Sequence, residues 1–189
     1  MDLINSKSSI DIITGPMFSG KTTELVRRLT ILREAGLSVL YIRSSLDTRK
    51  FISHNKTMSV LEMATCTTDS LMTSKSYAKV FNVIGIDEAQ FFDDLPEFCI
   101  EMVEKCGAKI IVSGLNSDFR REKFGKICDL IPLCDNITKL YPFCSICSGN
   151  KILTPALFSK RIIESVDKVV IGDCQSYIPV CRECYIKNV

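Results

Sequence analysis

The sequence predicts an α/β fold: a parallel sheet with helices on both faces, followed by a small C-terminal unit built around cysteines. Three observations predict it. Short apolar runs alternate with amphipathic stretches as far as about Gly114, the pattern of a parallel sheet covered on both faces. A glycine-bearing loop joins the first run to the first helix. After about Leu140 the pattern changes to short runs with paired cysteines. The expected units are therefore residues 1–140 and 141–189. With 189 residues the chain is long enough to bury a core without disulfides.

The elements follow in order. Ser9–Ile13 is short and β-branched, and Gly15 and Pro16 end it, so it reads as a buried strand entering a turn. From Lys21 to Ala35, Leu25, Leu29 and Leu32 recur at helical spacing. Arg27, Arg28, Arg33 and Glu34 lie off that stripe, and Gly36 is a C-terminal stop. Val39–Ile42 is a second strand-length run. Arg43 to Thr57 is polar and turn-rich and is expected to be loop, and 58–78 has no decisive pattern. Val80–Ile86 is a third buried strand, with Asp87 and Glu88 at its end. Leu95–Lys105 reads as a helix with Pro96 in its first turn. Ile110–Val112 is a fourth strand, closed by Ser113 and Gly114.

Composition excludes several classes. The chain is 46% hydrophobic and 24% charged, which is globular and not disordered. A net charge of +2 gives no support to a strong non-specific nucleic-acid binder. No apolar run approaches a membrane span, and Met1 to Ser9 lacks the apolar core of a secretory signal. The expected location is the cytoplasm, with no membrane partner. In that setting ten cysteines do not read as a disulfide framework. His54, the single histidine, sits in a polar stretch and reads as solvent-facing or structural.

Three motifs carry chemistry. Gly15-Pro16-Met17-Phe18-Ser19-Gly20-Lys21-Thr22 fits G-x-x-x-x-G-K-[ST] between a predicted strand and a predicted helix. Such a loop turns its amides onto phosphate oxygens. Its lysine reaches the terminal phosphates, and its hydroxyl addresses Mg²⁺. The sheet is then of the P-loop, RecA-like kind. Asp87 and Glu88 close a hydrophobic strand, where a phosphate-loop protein places its Mg²⁺ carboxylate. Asp87 suits that role, and Glu88, pointing the other way, could be a general base. Cys144-x-x-Cys147 and Cys181-x-x-Cys184, 33 residues apart, supply four thiolates for a closed, structural Zn²⁺ site. The other six cysteines read as buried small hydrophobes.

These residues meet a known family. GPMFSGKT at 15–22, DTR at 47–49, DEAQF at 87–91, SGLNSDF at 113–119, the cysteine pairs, KVVIG at 168–172 and Tyr177 stand in its order. The chain resembles the zinc-containing thymidine kinases of cytosolic and viral type from about Ile10 to Tyr185. The resemblance implies transfer of the ATP γ-phosphate to the 5′-hydroxyl of thymidine, giving dTMP and ADP. It implies that Lys21 and the loop amides hold the phosphates and that Thr22 and Asp87 bind Mg²⁺. Glu88 would take the hydroxyl proton and Arg49 would offset phosphate charge as a further catalytic residue, while Asp47, Arg49 and Gln90 belong to the nucleotide site. Phe119 would pack on the thymine ring, with Met17, Leu115 and Thr154 lining the same pocket. Lys168, Val169, Val170, Ile171 and Gly172 would close over the nucleoside through backbone groups, and Tyr177 would complete the pocket. Pro155–Lys168 would form a lid anchored by zinc. A homotetramer and feedback inhibition by dTTP are also implied.

The departures are small. Ala89 stands where relatives often have Gly, and Asn116-Ser117-Asp118 replaces a more Gly-containing stretch. The chain ends five residues after Cys184, short of the C-terminal tails of animal cytosolic members. Other readings are a nucleic-acid-dependent ATPase, since Asp87-Glu88-Ala89-Gln90 resembles a helicase acidic box, and a non-catalytic zinc-bearing nucleotide sensor. The ATPase reading conflicts with length, because such motors need two lobes of roughly 150 residues or more.

Overall fold

A computed structural model describes residues 8–47, 63–163 and 176–187. Its main sheet has six parallel strands: β1 (Ser9–Thr14), β2 (Val39–Ser44), β3 (Ala64–Thr68), β4 (Val83–Asp87), β5 (Lys109–Gly114) and β6 (Asn136–Lys139). Their spatial order is β3-β2-β4-β5-β1-β6. Helix α1 (Lys21–Glu34) follows β1, and the short α2 (Lys75–Ala78) follows a 3₁₀ turn at Met72–Ser74. Helix α3 (Leu95–Ile100) widens into a π-helical turn over Glu101–Lys105, and a 3₁₀ stretch spans Ile127–Leu133.

Strands β1, β4 and β5 are buried along their whole lengths, because helices cover both faces. On one face Leu25, Val26, Leu29 and Leu32 of α1 meet Ile13, Tyr41, Val83 and Ile111. On the other, Ile10, Ile12, Leu40, Ile84, Ile86, Ile110 and Val112 meet Phe92, Phe98, Met102 and Leu130. The period-2 alternation of strand side chains produces these two cores from one set of apolar runs. At the N-terminal end of the sheet, buried Lys109 pairs with Asp11 at 3.1 Å and donates to Ser9 Oγ at 2.6 Å. Asn136 donates to the same Asp11 at 3.2 Å, so this polar group ties β1, β5 and β6 together. The opposite, C-terminal edge gathers Thr14, Ser44, Asp87 and Gly114, where open α/β sheets bind ligands.

After the sheet come α4 (Ser145–Gly149), an antiparallel pair of β7 (Phe158–Arg161) and β8 (Tyr177–Val180), and α5 (Arg182–Ile186). Four sequence expectations need correction. Strand β2 runs on through Arg43 and Ser44, since Arg43 has ladder partners on both sides in Thr67 and Asp87. Strand β4 starts only at Val83, and Val80 is 71% exposed in the turn before it. The first part of the expected lid, Phe158–Arg161, is a paired strand and not a free loop. Of the other cysteines, Cys99 is fully buried, whereas Cys66, Cys106, Cys128 and Cys134 are half-buried at the core margin. Cys174 and His54 lie outside the described residues.

Candidate active site and cysteine centre

The loop from Gly15 to Thr22 wraps the start of α1. Gly15 has φ +150°, and a Cβ there would stand 2.3 Å from the Leu140 carbonyl oxygen, so only glycine fits. Phe18 and Gly20 also take positive φ, at 65° and 82°. Gly20 precedes α1 and no side chain caps the helix, which leaves its first amides to a phosphate group. Lys21 is buried, and its Nζ donates to the Pro16 carbonyl at 2.8 Å, curling across its own loop. Ser19 Oγ is buried without a hydrogen-bond partner and faces Gly15.

Thr22 Oγ1 donates to Asp87 at 2.9 Å, which brings the phosphate loop to the end of β4. Asp87 also accepts from the Tyr41 hydroxyl at 2.9 Å. Tyr41 is fully buried on β2, the strand beside β4. Its role was hidden in the sequence inside an apolar run; the only clue was a polar-tipped residue among aliphatic ones. Glu88 takes a left-handed conformation, φ 49° and ψ 42°, a strained choice for a side-chain-bearing residue that recurs at functional sites. Its carboxylate accepts from Gln90 Nε2 at 2.6 Å, and Gln90 Oε1 accepts from the Leu115 amide at 3.0 Å. Gln90 thus ties Glu88 to the segment after β5. Gly125 makes room for that turn, since a Cβ there would lie 2.1 Å from the Gln90 carbonyl oxygen.

The Sγ atoms of Cys144, Cys147, Cys181 and Cys184 lie within 4.8 Å of one another, and none of the four is in a disulfide. Cys147 Sγ is 3.8 Å from Cys181 Sγ and 3.6 Å from Cys184 Sγ. Tetrahedral Zn–S bonds of about 2.3 Å imply S···S edges of about 3.8 Å, so the donor set fits zinc. Burial pushes the Cys144 thiol up, but hydrogen bonds from the Cys147 and Cys181 amides outweigh it and bring it down to about 7. Burial and the neighbouring thiols push Cys184 up to about 12. Four thiols so close cannot all ionise without a cation between them. Val180 and Ala156 complete this small core.

The expected nucleoside residues come from the phosphate loop, the segment after β5 and the region of the β7–β8 pair. The Met17 amide donates to Ser159 Oγ of β7 at 2.9 Å. Phe119 is half-buried, and its carbonyl accepts from Tyr185 at 2.7 Å. The Arg161 guanidinium lies 3.8 Å from the centre of the Phe119 ring and donates to the Tyr177 hydroxyl at 2.8 Å. Phe119 and Tyr177 are therefore brought together through Arg161, a residue the motifs did not flag. Thr154 sits at the cysteine centre, where its carbonyl accepts from the Cys144 amide at 2.8 Å. Asp47 is buried just after β2. Arg49 and Lys168, Val169, Val170, Ile171 and Gly172 lie outside the described residues.

With this geometry in place, the family model for thymidine kinase matches residues 8–185. The chain belongs to the thymidine kinase family. The thymidine kinase of Choristoneura fumiferana entomopoxvirus is 41% identical over 187 residues, covering 95% of this chain and 97% of the relative. The cytosolic thymidine kinase of Homo sapiens is 37% identical over 186 residues, covering 97% of this chain and 75% of the relative. The genome packaging NTPase B204 of Sulfolobus turreted icosahedral virus 2, solved with ATP-gammaS, superposes with a TM-score of 0.48 at 18% identity, over 72% of this chain and 76% of that one. Among the described residues, no helix of the chain is long and apolar enough to cross a membrane.

Proposed function

We propose that this member of the thymidine kinase family transfers the γ-phosphoryl group of ATP to the 5′-hydroxyl of thymidine, giving dTMP and ADP. The observation that supports this assignment of roles is the Thr22–Asp87 hydrogen bond, which joins the phosphate loop to the residue before Glu88. Lys21 and the amides before α1 hold the triphosphate. Thr22 and Asp87 offer oxygen ligands suited to Mg²⁺, which when bound neutralises phosphate charge. Glu88 accepts the 5′-hydroxyl proton, and Gln90 holds its carboxylate in place. Catalysis then rests on positioning and charge neutralisation.

Arg49 and Asp47 belong to the nucleotide side of the site. Phe119, Met17, Leu115, Thr154 and Tyr177 frame the base, with Lys168 to Gly172 closing over it. Residues 1–140 form the kinase unit and 141–189 the zinc and lid unit. The four cysteines hold a structural Zn²⁺ that orders the nucleoside side of the site. Family membership further supports a homotetramer, feedback inhibition by dTTP and a cytosolic location.

The test is product formation by purified protein with Mg-ATP, the four deoxynucleosides and single-stranded DNA. Thymidine-dependent ADP and dTMP are the expected products. ADP release that needs DNA and ignores nucleosides would assign the protein to the ATPases instead.

A further inference from the structure

We propose that Ser159 is a positioning residue that couples nucleoside binding to ATP binding, through its hydrogen bond with the phosphate loop. The inference rests on the kinase reading above, which puts ATP on one side of that loop and the nucleoside on the other. Ser159 is 6% exposed, and its Oγ accepts the Met17 amide at 2.9 Å. Met17 lies inside the loop between Gly15 and Gly20, so this bond fixes loop backbone and not a peripheral group.

Strand β7 places the serine. Successive strand residues face opposite ways. Phe158 turns into the cysteine core and packs on Tyr185 at 5.2 Å between ring centres. Ser159 and Arg161 share the other face: one holds Met17, the other covers Phe119 and reaches Tyr177. Ser159 pairs with Pro179 and Arg161 with Tyr177, and β8 then runs into Cys181. One side of β7 is thus continuous with the cysteine centre, and the other spans from the phosphate loop to the expected base-binding aromatics.

The energetic consequence is reciprocal. A nucleoside held by Phe119 and Tyr177 fixes β7 and β8. Ser159 passes that order to the loop backbone at Met17, and ATP then meets a loop already in place. Linkage requires that ATP tighten thymidine by the same factor. A side chain that only fills space between the two units would lower both affinities when removed, but would leave their ratio intact.

The experiment uses the zinc-loaded full-length protein. The dissociation constant of a non-hydrolysable ATP analogue is measured with and without saturating thymidine, for wild type, Ser159→Ala, Ser159→Thr and Ser159→Val. Wild type should show tightening of about fivefold or more, at the lower end of ordinary couplings. Ser159→Ala and Ser159→Val should lose it, and Ser159→Thr should keep it. Threonine and valine match in shape and differ in the hydroxyl, so that pair decides even if the alanine variant does not fold. Equal ratios in the threonine and valine variants, or no tightening in wild type, would overturn the proposal. Thymidine phosphorylation by wild type is assayed first. Its absence would defeat the kinase reading itself, whereas normal turnover with unaltered coupling defeats only the role of Ser159.

Discussion

The two halves of the molecule reach order by different routes. The sheet half encloses two apolar cores, and its phosphate loop and acidic strand end are braced by a buried hydrogen bond from Tyr41 and half-buried ones from Thr22 and Gln90. In the cysteine half the described core is Cys144, Ala156, Val180 and Cys181, two of them metal-type ligands. Ile146, Phe158, Ile178 and Tyr185 pack on it only partly buried, so this half buries much less apolar surface than the sheet half. The sheet half thus has an apolar core of its own, whereas the cysteine half offers a four-thiol donor set that a metal could use to order it.

Four variants separate the two halves. The largest effect belongs to Glu88→Gln. Turnover should fall about 10²–10⁴-fold while binding of an ATP analogue is unchanged, because the base is removed and the phosphate loop is not. Steady-state kinetics with analogue titration checks it, and unchanged turnover would remove Glu88 as the base. Cys181→Ser comes next. It should strip zinc, raise the thymidine KM at least about tenfold and leave the sheet half's far-ultraviolet signal in place. Metal analysis and circular dichroism read this, and intact zinc with normal thymidine affinity would erase the distinction between the halves.

Smaller effects sharpen it. Tyr41→Phe removes a buried hydroxyl that donates to Asp87, at a cost of about 1.5–3 kcal/mol in chemical denaturation. The loss should appear in the unfolding of the sheet half alone. The smallest effect is in acid. Arg27, and after it Arg28, hold Glu24 down at about 2 against a partial rise from burial, compared with an ordinary 4.5. Its folded value is depressed, so the stabilisation is full above about 4.5 and is lost as pH falls towards 2. A pair this near solvent contributes less than about 1 kcal/mol. Denaturation midpoints at pH 6 and pH 3 should differ by that much less in Glu24→Gln than in wild type.

The same contrast governs what could be read from the sequence. Buried strands β1, β4 and β5 were legible because both faces are covered, so their apolar runs stand out. The edge strands β3 and β6 were not, since ATCTT and NITK are half-exposed and polar and owe their state to a neighbour's ladder. The phosphate loop, Asp87, Glu88 and the four cysteines were legible because their chemistry fixes residue type at fixed spacing. Tyr41, Ser159 and Arg161 were not. Their parts depend on which strand lies beside which, and a tyrosine, a serine and an arginine in short strands carry no spacing signal of their own. Arg43 was misplaced for a related reason: a charged residue can continue a strand when partners on both sides complete its ladder.

The dependence of the nucleoside side on the cysteine centre is read by removing metal with a chelator and titrating the same sample separately with an ATP analogue and with thymidine. Thymidine binding should be lost, analogue binding should weaken by no more than roughly tenfold, and zinc should restore both. Thymidine binding that survives complete zinc removal, or analogue binding abolished along with it, would contradict the claim that the metal orders only the nucleoside side.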